Sequence, residues 1–384
     1  MKTLRVALGQ RLSDRLLRGR LLEWWLRPKM RRLEGNYAAQ LVQRSRGKPA
    51  SEVMPQLKSG SPLRRLLFIS DIMWESDELV PELEKICPVE TLNLNPRLRQ
   101  RAKGQPACQT VAAVVEEFIK SKITLEPDLI LFYARSSLLS EEVFSLLRKR
   151  WSCPVLGLNL DEKTQFLDHR IFSGNDDNYQ RWARHFDLNL SNVRAVVDWY
   201  ADLGLPVCYL PEGYHPRPGG PASSLGGFRH EISFVGSKRS ERVEFFGRLG
   251  ELGVPIATLG HGWPNSGRID DPVSVYRTSM MNLGIGFAAP SRTLTTLKAR
   301  DFECPGAGAC YLTTYNWELA PLYELGREIL CYRSEAELVE IFSFYRRRPE
   351  ACLEIARAAY RRCLAEHTWE QRFRKVFLGI GFRL

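Results

Sequence analysis

Glu303 stands directly before a run of small residues in the stretch ARDFECPGAGACYLTT, residues 299–314. The apolar spacing predicts a helix over 294–303 and a buried strand over 309–314, with a tight turn between them. Small residues in this turn let the backbone approach a ligand closely. A carboxylate there can accept two hydrogen bonds from vicinal hydroxyls, as acids do for ribose in doubly wound folds. The alternative is that Glu303 caps the helix or pairs with Arg300.

A second glycine turn carries basic residues. The stretch FVGSKRSER, residues 234–242, ends a predicted strand and enters a helix that is predicted over 240–252. Backbone N–H groups at such a helix start form an anion site, although solvated surface side chains are the alternative. A histidine between two glycines follows the next predicted strand, where it either contacts phosphate or base or only supports its loop. The candidate anion-binding residues are Gly236, Ser237, Lys238, Arg239, His261, Arg292 and Lys298.

Two aspartates are candidates for a general base. Asp71 and Asp161 follow the first and fourth predicted strands, at the carboxyl edge of the same sheet. A base must lie within hydrogen-bond reach of the hydroxyl that it deprotonates; helix capping or a loop position is the alternative for both aspartates. No Ser-His-Asp set stands out, and no G-x-G-x-x-G follows the first strand, which disfavours NAD binding.

The nine cysteines do not suggest a metal site. They are scattered, without a C-x-x-C pair or a nearby histidine pattern, so we do not expect a zinc site. We also expect no bound cofactor, because no motif for one is recognised in the sequence. Their odd number, with no recognisable signal peptide, favours a reducing compartment and a cytoplasmic protein. The sequence contains no stretch of about 18 apolar residues that could span a membrane.

The elements predicted around these residues alternate between strands and helices, which is typical of α/β proteins with parallel sheets. The Pro- and Gly-rich linker HPRPGGPASSLGG, residues 215–227, divides them into two sets. We predict an N-terminal Rossmann-like domain at 64–217 and a C-terminal one at 228–360, followed by a helix at 361–384 that crosses back to the N-terminal domain. Ligands bind in the crevice at the carboxyl ends of such strands.

A basic extension at residues 1–63 precedes these domains. Residues 1–65 contain 16 of the 55 Lys and Arg residues but only 4 of the 44 Asp and Glu residues. Apolar residues at helical spacing, with arginines between them, predict a basic amphipathic helix. Such a helix either binds an anionic membrane surface through residues 1–35 or packs against the domains. The remaining chain is nearly neutral, so we do not expect a nucleic acid partner.

Three pieces of the C-terminal half carry a resemblance to a known family: Phe302-Glu303 before a Pro-x-x-Gly turn, Gly326-Arg327-Glu328-Ile329, and Glu366-His367-Thr368-Trp369 with Arg372. The N-terminal half matches more loosely at Pro127-Asp128, Asn159-Leu160-Asp161-Glu162 and Leu210-Pro211-Glu212-Gly213. Over about residues 64–384, the chain resembles the CgeB-like glycosyltransferases of the spore-maturation type, which are relatives of the GT-B "glycosyltransferase group 1" enzymes.

The resemblance implies a GT-B fold, in which two Rossmann-like domains face each other across a cleft. It also implies transfer of a sugar from a nucleotide-sugar co-substrate, held by the C-terminal half, to a glycan, glycolipid or protein acceptor, held by the N-terminal half, without a metal. Glu303 would contact the ribose. Many GT-B enzymes carry a second Glu eight residues earlier, where this chain has Thr295, so the donor sugar and the stereochemical outcome stay open.

Three hypotheses follow from these patterns. The first is a glycosyltransferase in polysaccharide biosynthesis, held at the inner membrane face by its extension. The second is a non-catalytic GT-B-like module that binds a glycan or a protein. The third is a nucleotide-sugar epimerase or hydrolase on a similar two-domain fold.

Overall fold

The computed structural model describes residues 52–71, 73–102, 104–160, 179–221, 227–264, 266–267, 269, 271–286 and 295–384. The predicted amphipathic helix of the extension lies outside these residues, as do Asp161 and Arg292.

The N-terminal domain is built on a parallel sheet of six strands in the order β3-β2-β4-β5-β6-β7. Its strands are β2 Leu66–Ser70, β3 Val89–Asn93, β4 Leu129–Tyr133, β5 Val155–Asn159, β6 Leu188–Ser191 and β7 Val207–Tyr209. Its described helices are α1 Met73–Glu84, α2 Asn95–Gln100, α3 Ala107–Ser121, α4 Glu141–Arg150, α5 Gln180–Ala183 and α6 Arg194–Asp202. Ser140, which the two glutamates after it mark in the sequence as a helix N-cap, accepts a hydrogen bond from the Val143 backbone N–H at 3.3 Å and so fixes the start of α4.

The C-terminal domain is built on a parallel sheet of five strands in the order β12-β11-β10-β8-β9. Its strands are β8 His230–Val235, β9 Ile256–Leu259, β10 Ser279–Leu283, β11 Tyr311–Thr314 and β12 Leu330–Tyr332. Its described helices are α7 Ser240–Glu251, α8 Pro272–Arg277, α9 Arg300–Gly306, α10 Glu335–Arg346 and α11 Pro349–Glu366.

Both faces of the N-terminal sheet are covered, which explains why its strands are continuous apolar runs. Along β4, Ile130 and Phe132 enter one core while Leu129 and Leu131 enter the other, because side chains alternate across a strand. The second core is completed from the far end of the chain. Helix α12, Trp369–Gly379, contributes to it with buried aromatic rings.

The two ends of the described chain meet on the N-terminal domain. The short strand β1, Ser61–Pro62, pairs in parallel with β13, Phe382–Arg383. Two chain crossings connect the domains, and they lie side by side. The Tyr214 backbone N–H donates to the His367 carbonyl at 3.2 Å, and the Trp369 N–H donates to the Tyr214 carbonyl at 3.2 Å.

Two predicted helix boundaries in the C-terminal domain are wrong. The apolar spacing of residues 273–281 predicts a helix, but the helix there, α8, ends at Arg277 because Ser279 already begins the fully buried strand β10. The helix predicted to end at Glu303 begins at Arg300 and continues through Pro305 to Gly306. Its buried side chains, including Phe302 and Cys304, pack into the core and offset the helix-breaking tendency of Pro and Gly.

Candidate functional site

The carboxyl ends of β8 and β9 form a tight pair of glycine turns. A Cβ atom on Gly260 would lie 2.7 Å from the Gly236 carbonyl oxygen, so only glycine fits there. Gly260 also has φ +121°, which disfavours other residues. The Gly236 N–H donates to the Leu259 carbonyl at 2.8 Å, and the Trp263 indole donates to the Gly236 carbonyl at 2.8 Å. These bonds hold the first turn rigid at the edge of the sheet.

Two arginines stack on the last aromatic ring of β8. The guanidinium carbons of Arg242 and Arg300 lie 5.1 and 5.0 Å from the centroid of the Phe234 ring. Arg300 Nη1 donates to the Val235 carbonyl at 2.8 Å, and Arg242 Nη1 donates to the Ser237 carbonyl at 2.6 Å. Both side chains are therefore fixed beside the Gly236 turn.

Positive charge is concentrated at this turn. The pKa of Arg242 is lowered to about 10, chiefly by burial and then by the neighbouring charges of Arg300 and Arg239. Arg239 is exposed directly before α7, so the positive end of that helix dipole adds to the same field. An anion bound here would relieve the repulsion between the guanidinium groups.

The predicted anion-binding residues fall on two neighbouring loops and one helix start. Ser237, Lys238 and Arg239 follow β8, and the Lys238 N–H donates to the His261 carbonyl at 2.8 Å. The Lys298 N–H donates to Asp301 Oδ2 at 2.8 Å just before α9. Their binding of phosphate remains a prediction.

The sequence predicted that Glu303 is the last residue of its helix. In the structure Glu303 lies within α9, which continues to Gly306. Its pKa is raised to about 8, chiefly by burial and then by the charges of Glu78 and Glu212 from the N-terminal domain. A hydrogen bond from Tyr276 and the charge of Arg300 oppose this rise. Glu303 therefore faces carboxylates of the other domain across the cleft, and its buried site favours the protonated form.

The small residues after Glu303 make room for the interdomain segment, and this corrects the expectation that a ligand lies there. A Cβ atom on Gly306 would lie 2.5 Å from the Tyr214 ring, and one on Gly308 would lie 2.5 Å from the Pro221 nitrogen. The close approach that the sequence predicted exists, but its partners are residues of the first chain crossing.

Asp71 is occupied by an ion pair. Arg135 Nε and Nη2 both lie 2.8 Å from Asp71 Oδ2, and the carboxylate is buried after β2. A general base that is held in this way must exchange partners before it accepts a proton. Its role as a base remains a prediction, as does that of Asp161, which lies outside the described residues.

A cavity of about 280 Å³ opens between α1 and the edge of the N-terminal sheet. Its lining mixes apolar and polar groups and includes Phe68, Ser70, Asp77, Val80, Thr91 and Asn93. Ser70 and Asn93 end β2 and β3, so the cavity reaches the carboxyl edge of the sheet. Helix α1 thus places Asp77 in the cavity and the adjacent Glu78 within electrostatic reach of Glu303.

The domains also touch at the opposite end of the cleft. The Tyr209 hydroxyl donates to Glu318 Oε2 at 2.8 Å, and the Arg194 backbone N–H donates to the same oxygen at 3.3 Å. Tyr209 is the last residue of β7 and Arg194 is the first residue of α6, whereas Glu318 lies in the loop after β11. We call this contact the Glu318 clasp.

Sequence reasoning missed several groups of this site. Arg300 and Glu303 are three residues apart on one helix, and this spacing predicts that their side chains share a helix face. Tyr276 and Glu78 reach the site from distant parts of the chain, and no local pattern marks them. Glu212 is also distant, but it lies in the segment Leu210-Pro211-Glu212-Gly213 that carries the sequence resemblance. Within the residues that the structure describes, no group of three His, Cys, Asp or Glu side chains could hold a metal ion, and no helix could span a bilayer.

Residues 239–377 match the model of the family described as Glycosyl transferase-like. No curated protein matches the chain. The sucrose-phosphate synthase of Thermosynechococcus elongatus superposes with a TM-score of 0.55 at 12% identity, over 82% of this chain and 99% of that chain.

Two further solved structures have similar folds. A putative UDP-N-acetylglucosamine 2-epimerase of Listeria monocytogenes superposes with a TM-score of 0.51 at 13% identity, over 83% of this chain and 96% of that chain. Anabaena HepE in complex with UDP superposes with a TM-score of 0.51 at 12% identity, over 82% and 99%. The chain therefore has the GT-B fold, with two Rossmann-like domains, and its C-terminal part is similar to glycosyltransferases.

Proposed function

We propose that this protein is a glycosyltransferase that uses a nucleoside-diphosphate sugar, bound at the carboxyl edge of the C-terminal sheet. The observation that carries this proposal is the stacked pair Arg242 and Arg300 beside the Gly236 turn, with Arg239 next to them. Guanidinium groups bind phosphate oxygens through several parallel hydrogen bonds. The family match over 239–377 covers this turn from Arg239 onward and also covers Glu303.

The diphosphate is the part of the donor that this site would stabilise. During transfer, the acceptor oxygen forms a bond to the anomeric carbon while the bond from that carbon to the diphosphate oxygen breaks. The electron pair leaves with the nucleoside diphosphate, whose growing negative charge the fixed arginines would offset. The arginines would thus supply the charge that a metal supplies in other enzymes.

Glu303 would bind the ribose of the donor. A carboxyl group with a pKa of about 8 carries its proton over much of the neutral range, so it can donate one hydrogen bond and accept another. Vicinal hydroxyls offer one donor and one acceptor in a matching arrangement. Tyr276, which shares a hydrogen bond with Glu303, would hold the carboxyl group in place.

The acceptor would enter from the N-terminal domain, through the cavity beside α1. Asp77 lines this cavity and is exposed, and it forms no ion pair with the residues that the structure describes, so it can reach an acceptor hydroxyl directly. We keep Asp71 and Asp161 as further candidates for the base. A glycan or a glycolipid headgroup, in a pathway of polysaccharide synthesis, fits a cavity with mixed polar and apolar walls.

The test is a titration of the protein with UDP, GDP, dTDP, ADP and CMP by calorimetry. One nucleotide should bind the wild type, and Arg300→Gln and Arg239→Gln should each weaken it about tenfold or more, since a charge-assisted hydrogen bond contributes roughly 1.5–3 kcal/mol. Arg239 is exposed, so that variant should fold normally. Arg346→Gln, which removes an exposed pair with Glu231 far from the cleft, serves as the control.

Turnover then separates the three activities. Release of nucleoside diphosphate that requires an added acceptor supports transfer. Consumption of the donor without an acceptor indicates an epimerase or hydrolase. The absence of nucleotide binding in wild type and variants alike contradicts the proposal and favours the non-catalytic binding module.

A further inference from the structure

Residues 52–60, which we call the strap, run from the edge of the N-terminal sheet to the end of α12. The Val53 N–H donates to the Val207 carbonyl at 2.9 Å, and the Val207 N–H returns a bond at 3.0 Å, so the strap begins on β7. Further along, the Leu57 and Lys58 N–H groups both donate to the Ile380 carbonyl at 3.0 Å. The strap therefore joins β7 to the last helix of the chain.

Exposed aliphatic side chains lie on the strap, at the end of α12 and after β13. Val53 is 40% exposed, Leu378 on α12 is 55% exposed and Leu384 after β13 is 38% exposed. The Met54 side chain lies 2.8 Å from the position that a Cβ atom on Gly379 would take, which brings the strap against the end of α12 next to Leu378. These three are a third of the nine large exposed apolar residues in the described part of the chain.

Basic side chains flank the same surface. Lys375 is exposed one helical turn before Leu378, and it is close enough to Cys208 on β7 to lower the pKa of that thiol, although burial raises this pKa overall. Arg383 is exposed beside Leu384. The Lys58 amine lies 5.9 Å from the Phe382 ring centroid. Two acids lie near these groups: Glu370 pairs with Arg374, and the exposed Glu52 accepts from the Tyr209 N–H and keeps its negative charge.

We propose that this surface, the docking patch of Val53, Leu378, Leu384, Lys375 and Arg383, binds an anionic lipid bilayer. At an anionic bilayer, aliphatic side chains enter the boundary of the acyl chains and basic side chains contact the headgroups. The docking patch combines both kinds of side chain. The folded body then supplies a membrane contact of its own, in addition to any contact made by the basic extension.

The basic extension itself, residues 1–51, is the simplest competing occupant of the docking patch, and its charge argues against it. Residues 1–51, which precede the strap, contain 13 Lys and Arg residues but only 3 Asp and Glu residues. A segment of this charge would be repelled by Lys375 and Arg383, whereas an anionic bilayer attracts the extension and the docking patch together. The extension is continuous in the chain with the strap, which begins at Glu52. This inference does not depend on sugar transfer.

The test is co-sedimentation of the full-length protein with vesicles of phosphatidylcholine alone or with about one third phosphatidylglycerol. We expect binding to the anionic vesicles, and Lys375→Glu and Leu378→Glu should each weaken it about tenfold. Lys149→Glu and Ile123→Glu, exposed changes of the same kind outside the docking patch, should bind as wild type does. Thermal unfolding checks that each variant is folded, and Lys375→Gln is a milder second variant.

Three outcomes would overturn the proposal. Patch variants that bind as tightly as wild type would assign all membrane contact to the extension. Equal losses in the control variants would show that only the net charge matters. Equal binding to vesicles of phosphatidylcholine alone, or no binding to either kind, would exclude an anionic bilayer as the partner.

Discussion

Glu303 keeps its proton to an unusually high pH, because burial and the nearby carboxylate of Glu78 disfavour its charged form. Its pKa is about 8 in the folded protein against an ordinary value of 4.5. Between these values the folded state holds a proton that the unfolded state has lost, so the free energy of unfolding falls as the pH rises from about 4.5 to about 8.

Glu303→Gln should remove this pH dependence, since glutamine is neutral throughout. We expect the Tm of the variant to exceed that of wild type by about 2–4 °C at pH 8.5 and the difference to shrink toward pH 5. Thermal unfolding over this pH range measures it, with the exposed Glu354→Gln as control. A difference that stays constant with pH would show that Glu303 does not titrate in this range.

Individual residues were the hardest to predict from the sequence. The stretch around Glu303 indicated a functional carboxylate, but the sequence alone does not show that Glu78 and Glu212 approach from another domain. Arg135 likewise removes Asp71 from the list of uncommitted acids, and its position 64 residues away hides the pair. Burial and long-range charge decide such roles, and both arise only after folding.

Glu82 joins two helices that are far apart in the chain. Its side chain is fully buried on α1, accepts from His215 Nδ1 at 2.8 Å and pairs with Lys85. Its second oxygen accepts the Glu370 N–H at 3.2 Å in the first turn of α12, where the helix dipole favours negative charge. One carboxylate therefore anchors the last helix to the N-terminal domain.

Glu82→Ala should cost roughly 1–3 kcal/mol of stability, because it leaves the partly buried His215 ring and the Glu370 N–H without their acceptor, whereas the half-exposed Lys85 amine can turn to water. Glu82→Gln, which can still accept from Glu370, should cost less. Denaturant unfolding measures both. Glu116→Ala removes an exposed pair with Lys120 and should leave the midpoint unchanged; a similar loss in that control would point to a general effect of charge.

Most strands of both sheets were predictable, because parallel strands buried on two faces are short continuous apolar runs. The region before β11 was not. Pro305 and Gly306 normally end a helix, and their presence led to a helix boundary that is several residues too early. The core around Phe302 and the fit of Gly306 against Tyr214 stabilise the helical turn there, and tertiary packing of this kind has no local signature.

The Glu318 clasp should control how far the two domains separate. The Tyr209 hydroxyl is partly buried, and both burial and Glu318 raise its pKa well above the ordinary value, so it acts as a donor. Glu318→Ala would leave this hydroxyl without its acceptor, at a cost of roughly 1–3 kcal/mol. We expect a larger radius of gyration by X-ray scattering, because the cleft opens more easily.

Glu324→Ala, in the same loop but with an exposed partner, is the matched control for the clasp. An unchanged radius of gyration in Glu318→Ala, combined with the expected loss of stability, would show that the clasp stabilises the fold without limiting domain separation. Addition of the nucleotide that binds the wild type should restore the wild-type radius of gyration if that nucleotide bridges the two domains.

The placement of α12 on the N-terminal sheet has a consequence for how the protein is made. Its rings, including Phe373 and Phe377, cover the sheet face that Leu66, Phe68 and Leu131 present. The ribosome completes the strands of that sheet long before it reaches Trp369. At about 5–20 residues per second, the apolar face waits roughly 10–30 s for its cover. During that interval the nascent chain exposes a surface that chaperones bind, so expression should depend on them more than the stability of the finished protein suggests.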